Sequence, residues 1–201
     1  IITRAYSYAS DPRAELLEII YINIPGGILS PKLHKLKKGD KILIMQQAIG
    51  YFVIDEIPKG KNLWMIATGT ALGVFLAILK TNLPWKRFKK IVLIHGVRYG
   101  DELIYQDLIR EFDKKYPDQF CYIKSVTRDK CENTFNYRIP LGIQSKNFQN
   151  FAGIQIDDES QFMLCGNPDM IKDTTEILKK FGLMKHRRAK PGNITVERYW
   201  V

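Results

Sequence analysis

Leu63-Trp64-Met65-Ile66-Ala67-Thr68-Gly69-Thr70-Ala71-Leu72-Gly73-Val74-Phe75-Leu76-Ala77-Ile78-Leu79 is the stretch that decides the fold class. Leu63 to Ala67 is continuously apolar and short, as a strand covered on both faces requires. Ala71 to Leu79 is apolar at helical length, and Thr68-Gly69-Thr70 punctuates the two. Glycine and small hydroxyls at a strand-to-helix turn let backbone N–H groups approach a pyrophosphate at the positive helix end. A tight turn with no ligand accounts for the same residues. The dinucleotide fingerprint G-x-G-x-x-G is absent.

Working outward from this unit, the pattern repeats. Ile91 to His95 is followed by a helical pattern from Asp101 to Lys115. Phe120 to Val126 reads as a strand, Phe162 to Leu164 as another, and Pro168 to Phe181 as an amphipathic helix. Ile194 to Trp200 alternates and predicts a last strand. Strands alternating with helices predict a buried parallel sheet, an α/β unit spanning 59–201.

Residues 1–58 have a different grammar. Strand-like runs at Thr3 to Ala9, Leu16 to Ile24 and Lys41 to Gln47 are separated by Ser10-Asp11-Pro12, Pro25-Gly26-Gly27 and Lys38-Gly39-Asp40. Ser30-Pro31 reads as an N-cap followed by a proline at the first helical position, opening one short helix. The expectation is a partial antiparallel barrel, since three or four short strands are too few to close one.

The 201 residues are 45% hydrophobic and 26% charged, which excludes a disordered chain or a fibrous rod. No apolar run approaches the roughly 20 residues of a membrane span, so no membrane partner is expected. Lys+Arg 31 against Asp+Glu 21 leaves +10, enough to attract nucleic acid, anionic lipid or an acidic protein; charge alone selects none of them. Cys121, Cys131 and Cys165 form neither a CxxC pair nor a histidine-linked ligand set. No disulfide framework or metal site is expected, and a reducing cytoplasm is the default compartment.

Three arginines follow or precede successive elements: Arg98 after Ile91–Val97, Arg128 after Phe120–Thr127, and Arg138 before Ile139-Pro140. Ligands of open α/β sheets bind beyond the strand ends, and clustered guanidiniums there suit a phosphate monoester and favour NADP over NAD. Three independent solvated arginines are the alternative. Cys165-Gly166-Asn167-Pro168 ends one strand and caps a helix, with Asp169 in its first turn; a buried thiol and an ordinary turn explain it equally well. The basic run Lys185 to Lys190 reads as a solvated face, and His34, His95 and His186 suggest no triad.

Taken in order, Arg4-Ala5-Tyr6-Ser7, Leu29-Ser30-Pro31, Thr68-Gly69-Thr70, Val97-Arg98-Tyr99, Thr127-Arg128, Arg138-Ile139-Pro140, Cys165-Gly166-Asn167-Pro168 and Glu197-Arg198-Tyr199-Trp200 resemble the bacterial ferredoxin (flavodoxin) NADP reductases over essentially the whole chain. The resemblance implies an FAD-binding β-barrel domain at 1–58, N-terminally incomplete because its opening strands have no counterpart here, and an NADP-binding α/β domain at 59–201. It implies that Arg4 holds the FAD pyrophosphate, that Tyr6 stacks on one flavin face beside Ala5, and that Ser7 bonds the reactive ring nitrogen. Ile20, Tyr21, Ile22 and Asn23 would line the flavin, with Ile28, Leu29 and Ser30 at its phosphates and Thr70 nearby. Tyr199 would cover the other flavin face and Trp200 the adenine. Val97, Arg98, Thr127, Arg128 and Arg138 would hold the adenosine end of NADP, and Asn167, Pro168, Asp169 and Asp173 the rest of the dinucleotide. Ser7, Cys165, Glu197 and Tyr199 would surround the reacting centre. Ala71 stands where many relatives have glycine, and Val74 where many have proline.

The implied activity is electron transfer between NADPH and an acidic ferredoxin or flavodoxin, by a cytoplasmic monomer with no nucleic-acid partner. A related NADPH flavin oxidoreductase with another acceptor, and a basic single-strand nucleic-acid module, are the two alternatives.

Overall fold

A computed structural model describes residues 2–199. The α/β unit is built on β1 (Asn62–Thr68), β2 (Lys90–Val97), β3 (Phe120–Val126), β4 (Ser160–Gly166) and β5 (Ile194–Arg198). These five strands are all parallel, in the order β3-β2-β1-β4-β5. The order reverses between β1 and β4, which opens a crevice beyond their C-terminal ends.

Alternation along β1 explains the two layers of core. Leu63, Met65 and Ala67 face a cluster under α2 (Leu72–Leu79), α3 (Leu83–Arg87) and α4 (Gln106–Lys115), with Phe75 and Phe112 in it. Trp64 and Ile66 face the other side, under α5 (Ile139–Gln144), α6 (Asn147–Ala152) and α7 (Pro168–Lys180), with Phe148 and Leu178. Every residue of α2 is buried. One side meets the sheet, and Gly73 lies so close to residues 9–20 that a Cβ there would stand 3.2 Å from Ile20 Cδ1 and 3.3 Å from Ala9 Cβ.

Two expectations about helices are corrected. The helical pattern Asp101–Lys115 is divided into a 3-10 turn (Gly100–Glu102) and α4, because Tyr105 adopts a left-handed φ of 58° at the N-cap. The Tyr105 hydroxyl donates to Glu18, 87 residues away, a tertiary tie that local periodicity does not carry. The short helix of the first half, α1 (Ser30–His34), is present, but Leu29 is its cap residue. The Ser30 hydroxyl instead accepts from Ile24 N at 3.1 Å and closes the Pro25-Gly26-Gly27 turn.

The runs Thr3 to Ala9 and Leu16 to Ile24 meet at one antiparallel bridge, Tyr8 with Ile19, with Ala9 N donating to Glu18 O at 2.8 Å. Lys41 to Gln47 has no ladder partner among the described residues, and Leu43 is 87% exposed. A strand is stabilised by its neighbours, and these apolar faces have none here. Residues 8–20 are nonetheless held to the α/β unit. Lys80 Nζ donates to Ala9 O at 2.8 Å and to Glu18 Oε2 at 3.2 Å.

Candidate functional site

The C-terminal edge of the sheet gathers most of the expected site residues in three neighbouring groups. Four strand spacings of roughly 4.8 Å make this edge about 19 Å long, which suits an extended ligand.

At the β5 end, register places Cys165 beside Glu197. Glu197 Oε2 accepts from the Cys165 thiol at 3.6 Å and from the Ser7 hydroxyl at 3.2 Å, across 190 residues of sequence. Tyr199 follows directly, its N–H donating to Gly166 O at 3.5 Å. Burial raises the Tyr199 phenol well above its ordinary range, with the neighbouring Cys165 adding to the rise. Burial, then the Glu197 charge, raises the Cys165 thiol likewise, so this cysteine stays protonated. The four residues expected at the reacting centre therefore meet. Tyr6 is half-buried beside them in sequence, its ring edge-on to Tyr21 at 6.5 Å.

At the crevice, Thr68 Oγ1 accepts from Asn167 N at 2.8 Å, tying the ends of β1 and β4. Gly166 adopts φ +124° with an ideal Cβ position only 2.2 Å from Thr68 Oγ1. Glycine is required there on both counts. Asn167 caps α7, its Oδ1 accepting from Asp169 N at 2.8 Å and Met170 N at 3.1 Å, as its position before Pro168 predicts. Asp169 and Asp173 are exposed one turn apart on α7.

Beneath the Thr68-Gly69-Thr70 turn lies fully buried His95. Its Nε2 donates to Gly69 O at 3.0 Å, so Nδ1 faces the Tyr122 hydroxyl at 3.4 Å. The sequence signalled none of this; a lone histidine in an apolar strand looks like core. Burial depresses the His95 pKa to about 4. The folded state thus binds its proton less readily than the unfolded chain, whose histidine titrates near 6.5. The resulting stability is fully present above pH 6.5 and falls as pH drops toward 4. Between pH 7 and 5 the wild-type protein should lose about 2 kcal/mol more than His95→Gln. Urea unfolding of both at the two pH values checks it; equal losses would refute it.

At the β3 end, Thr127 N donates to Val97 O at 3.1 Å and Arg128 N to Arg98 O at 2.8 Å, which zips the loops beyond β2 and β3 together. Arg138 caps α5, whose Ile139 packs on Gly96 of β2, so all three arginines belong to one end of the edge. Their side chains are exposed, and none is in an ion pair among the described residues. Arg128 lies over the Tyr99 ring at 5.9 Å.

The first-half residues are more open. Arg4 is exposed and, among the described residues, bonded only to Thr3 O at 2.8 Å. Ala5, Ile22, Asn23 and Ile28 are exposed, while Ile20, Tyr21 and Leu29 are half-buried. Trp200 lies outside the described residues. Among the described residues no group of three His, Cys, Asp or Glu could hold a metal, and no helix is long and apolar enough to cross a membrane.

Residues 65–176 match the family model described as an oxidoreductase NAD-binding domain. The chain is 43% identical to a flavodoxin/ferredoxin-NADP reductase of Buchnera aphidicola subsp. Schizaphis graminum, over 99% of this chain and 78% of that relative. It is 41% identical to that of Escherichia coli (strain K12), over 99% of this chain and 81% of the relative. A solved ferredoxin NADP+ reductase from Neisseria gonorrhoeae, with bound FAD and NADP, superposes with a TM-score of 0.92 at 33% identity, covering 98% of this chain and 80% of that one.

Proposed function

The chain belongs to the flavodoxin/ferredoxin-NADP reductase family, and from that premise we propose how its own residues serve the activity. The protein is an FAD-dependent oxidoreductase that moves electrons between NADPH and ferredoxin or flavodoxin. The observation that carries the residue assignment is the meeting of Ser7, Cys165, Glu197 and Tyr199 at one end of the strand edge whose other end holds three arginines with no ion-pair partner among the described residues.

Residues 1–58 are the FAD-binding unit and 59–201 the NADP-binding unit. The donor set fits FAD: an exposed guanidinium at Arg4 for pyrophosphate, aromatic faces at Tyr6 and Tyr199, and a hydroxyl at Ser7. Ile20 to Asn23, Ile28, Leu29, Ser30 and Thr70 complete its surroundings. When bound, FAD supplies the redox chemistry, taking electrons in pairs from NADPH and releasing them one at a time to the carrier. The protein's part is to orient and to exclude water. Ser7, whose hydroxyl donates to Glu197 here, would offer that hydroxyl to the reactive ring nitrogen when FAD is bound. Buried Cys165 and half-buried Tyr199 stay protonated beside the Glu197 carboxylate and add no second negative charge there. Arg98, Arg128 and Arg138 take the 2'-phosphate of NADP, Val97 and Thr127 flank it, and Asn167, Pro168, Asp169 and Asp173 follow the rest of the dinucleotide.

The carrier is acidic, in keeping with +10 on this chain and the exposed Lys35, Lys37 and Lys38 of the first half. The protein acts in the cytoplasm as a monomer, and its three free cysteines suit a reducing compartment. One anaerobic stopped-flow experiment tests both parts of the reading. Ser7→Ala should slow flavin reduction by saturating NADPH about tenfold while leaving NADP affinity unchanged. Carrier reduction should fall steeply between about 20 and 300 mM salt, whereas flavin reduction stays flat. A wild-type reduction rate in Ser7→Ala, or a salt-insensitive carrier step with association limiting, would contradict the corresponding part.

A further inference from the structure

Two acidic residues lie among the arginines of the phosphate end, and neither neutralises one. Glu102 is four residues from Arg98, and Asp129 is adjacent to Arg128, yet the ion pairs of the described residues include none of these four. The carboxylates go to the main chain instead. Glu102 Oε2 accepts from Arg98 N at 2.7 Å and from Tyr99 N at 3.2 Å, and Asp129 Oδ2 accepts from Gly100 N at 2.8 Å. Three successive N–H groups beyond β2 are thereby satisfied by carboxylates from two different loops.

Further contacts fix both loops. Asn136 Nδ2 donates to Asp129 O at 2.7 Å. The Cys131 sulfur lies so near Gly100 that a Cβ there would be 2.5 Å from it. Tyr99, carried on the stapled turn, supplies the ring and hydroxyl beside Arg128, with Arg128 Nη1 donating to the hydroxyl at 3.5 Å.

Successive N–H groups in a turn form a concavity that binds an anion on its own account. Here that capacity is already filled from within the chain. An incoming phosphate is left to the guanidiniums, whose placement depends on the stapled turn. We propose that Glu102 and Asp129 are positioning residues for coenzyme choice: by holding the Arg98-Tyr99-Gly100 turn, they keep Arg98 and Arg128 aimed at a 2'-phosphate. This rests on the reading that the arginines take that phosphate. A carboxylate acting merely as a nearby negative charge would have the opposite effect, since its removal would tighten phosphate binding.

Calorimetric titration of the full chain with adenosine 2'-monophosphate, and with adenosine 5'-monophosphate as the ligand lacking the 2' group, separates these cases. Glu102→Ala and Asp129→Ala should weaken binding of the 2'-phosphate roughly five- to twentyfold, the range for releasing a side-chain-held turn. Binding of the 5'-phosphate should change by less than about twofold. Glu102→Gln and Asp129→Asn retain a carbonyl acceptor and should stay near wild type. Alanine variants that bind the 2'-phosphate as well as wild type, or that lose both ligands equally, would overturn the inference. Arg128→Ala is titrated alongside; unchanged 2'-phosphate binding in that variant would overturn the arginine assignment itself, and the inference with it.

Discussion

Gly166→Ala should destabilise the protein by about 2 to 6 kcal/mol and abolish most of its NADPH oxidation. Two costs add. At φ +124° an L-residue is strained by on the order of 1 to 3 kcal/mol, and forcing a methyl group into filled space costs about 1 to 3 kcal/mol more. The obstacle is not a yielding side-chain tip: the new Cβ would meet Thr68 Oγ1 at 2.2 Å and Thr68 N and O at 3.1 Å. Moving Thr68 breaks its 2.8 Å bond from Asn167 N, and with it the tie between the two strands that flank the crevice. Such a loss is a large share of the 5 to 15 kcal/mol that usually holds a domain together. Urea unfolding checks the stability, and steady-state kinetics at a temperature where the variant is folded checks the activity. A variant within 1 kcal/mol of wild type would show that the crevice relaxes more easily than its packing implies.

The sequence carried the β1–α2 unit plainly because both elements are apolar on every face, so burial and secondary structure point the same way. Tyr105 shows where that agreement ends. Its neighbours Ile104 and Leu108 continue the helical pattern, but its hydroxyl is held by Glu18, and the backbone turns left-handed to let it be. The helices Ile139–Gln144 and Asn147–Ala152 escaped notice for a different reason. Each is a turn and a half, and Gly142 lies under the Phe148 ring, where a Cβ would be 2.2 Å away; the contact, not local propensity, joins them. In the first half the strand-like runs form no strand among the described residues beyond the bridge of Tyr8 with Ile19, because ladders depend on neighbours that no run of residues can reveal.

The site divides along the same line. Arg98, Arg128 and Asn167 could be placed from their positions after strands and before a helix, because strand ends and helix caps are local features. Ser7 and Glu197 could not, being 190 residues apart and joined only by the fold; ordered motifs of a known family were what linked them. Gly166 was legible as a turn residue but not as an obligatory glycine, since the demand comes from Thr68 on another strand. Glu102 carries only half of a local signal: its carboxylate accepts from the N-cap N–H of Tyr99 as the glutamate of a capping box does, but tyrosine is not one of the small polar residues that open such a box.

Coenzyme preference should depend on Arg128 more than on any single contact to the rest of the dinucleotide. Its guanidinium is exposed, lies 5.9 Å from the Tyr99 ring centroid, and has no carboxylate partner among the described residues. A cation already neutralised would gain little from a phosphate, whereas this one can offer its full bidentate fork. Losing one charge-assisted contact costs on the order of 1.5 to 3 kcal/mol, so Arg128→Ala should lower kcat/KM for NADPH roughly tenfold to a hundredfold. NADH has no 2'-phosphate, and its kcat/KM should change by less than about twofold. The loss should lie in KM, because the phosphate is remote from the reacting end and binds equally in ground and transition states. Steady-state kinetics with both coenzymes at fixed low salt decide the matter. A parallel fall for NADPH and NADH would mean that Arg128 supports the loop and not the phosphate; a fall in kcat alone would place its action at the Ser7–Glu197 end of the edge.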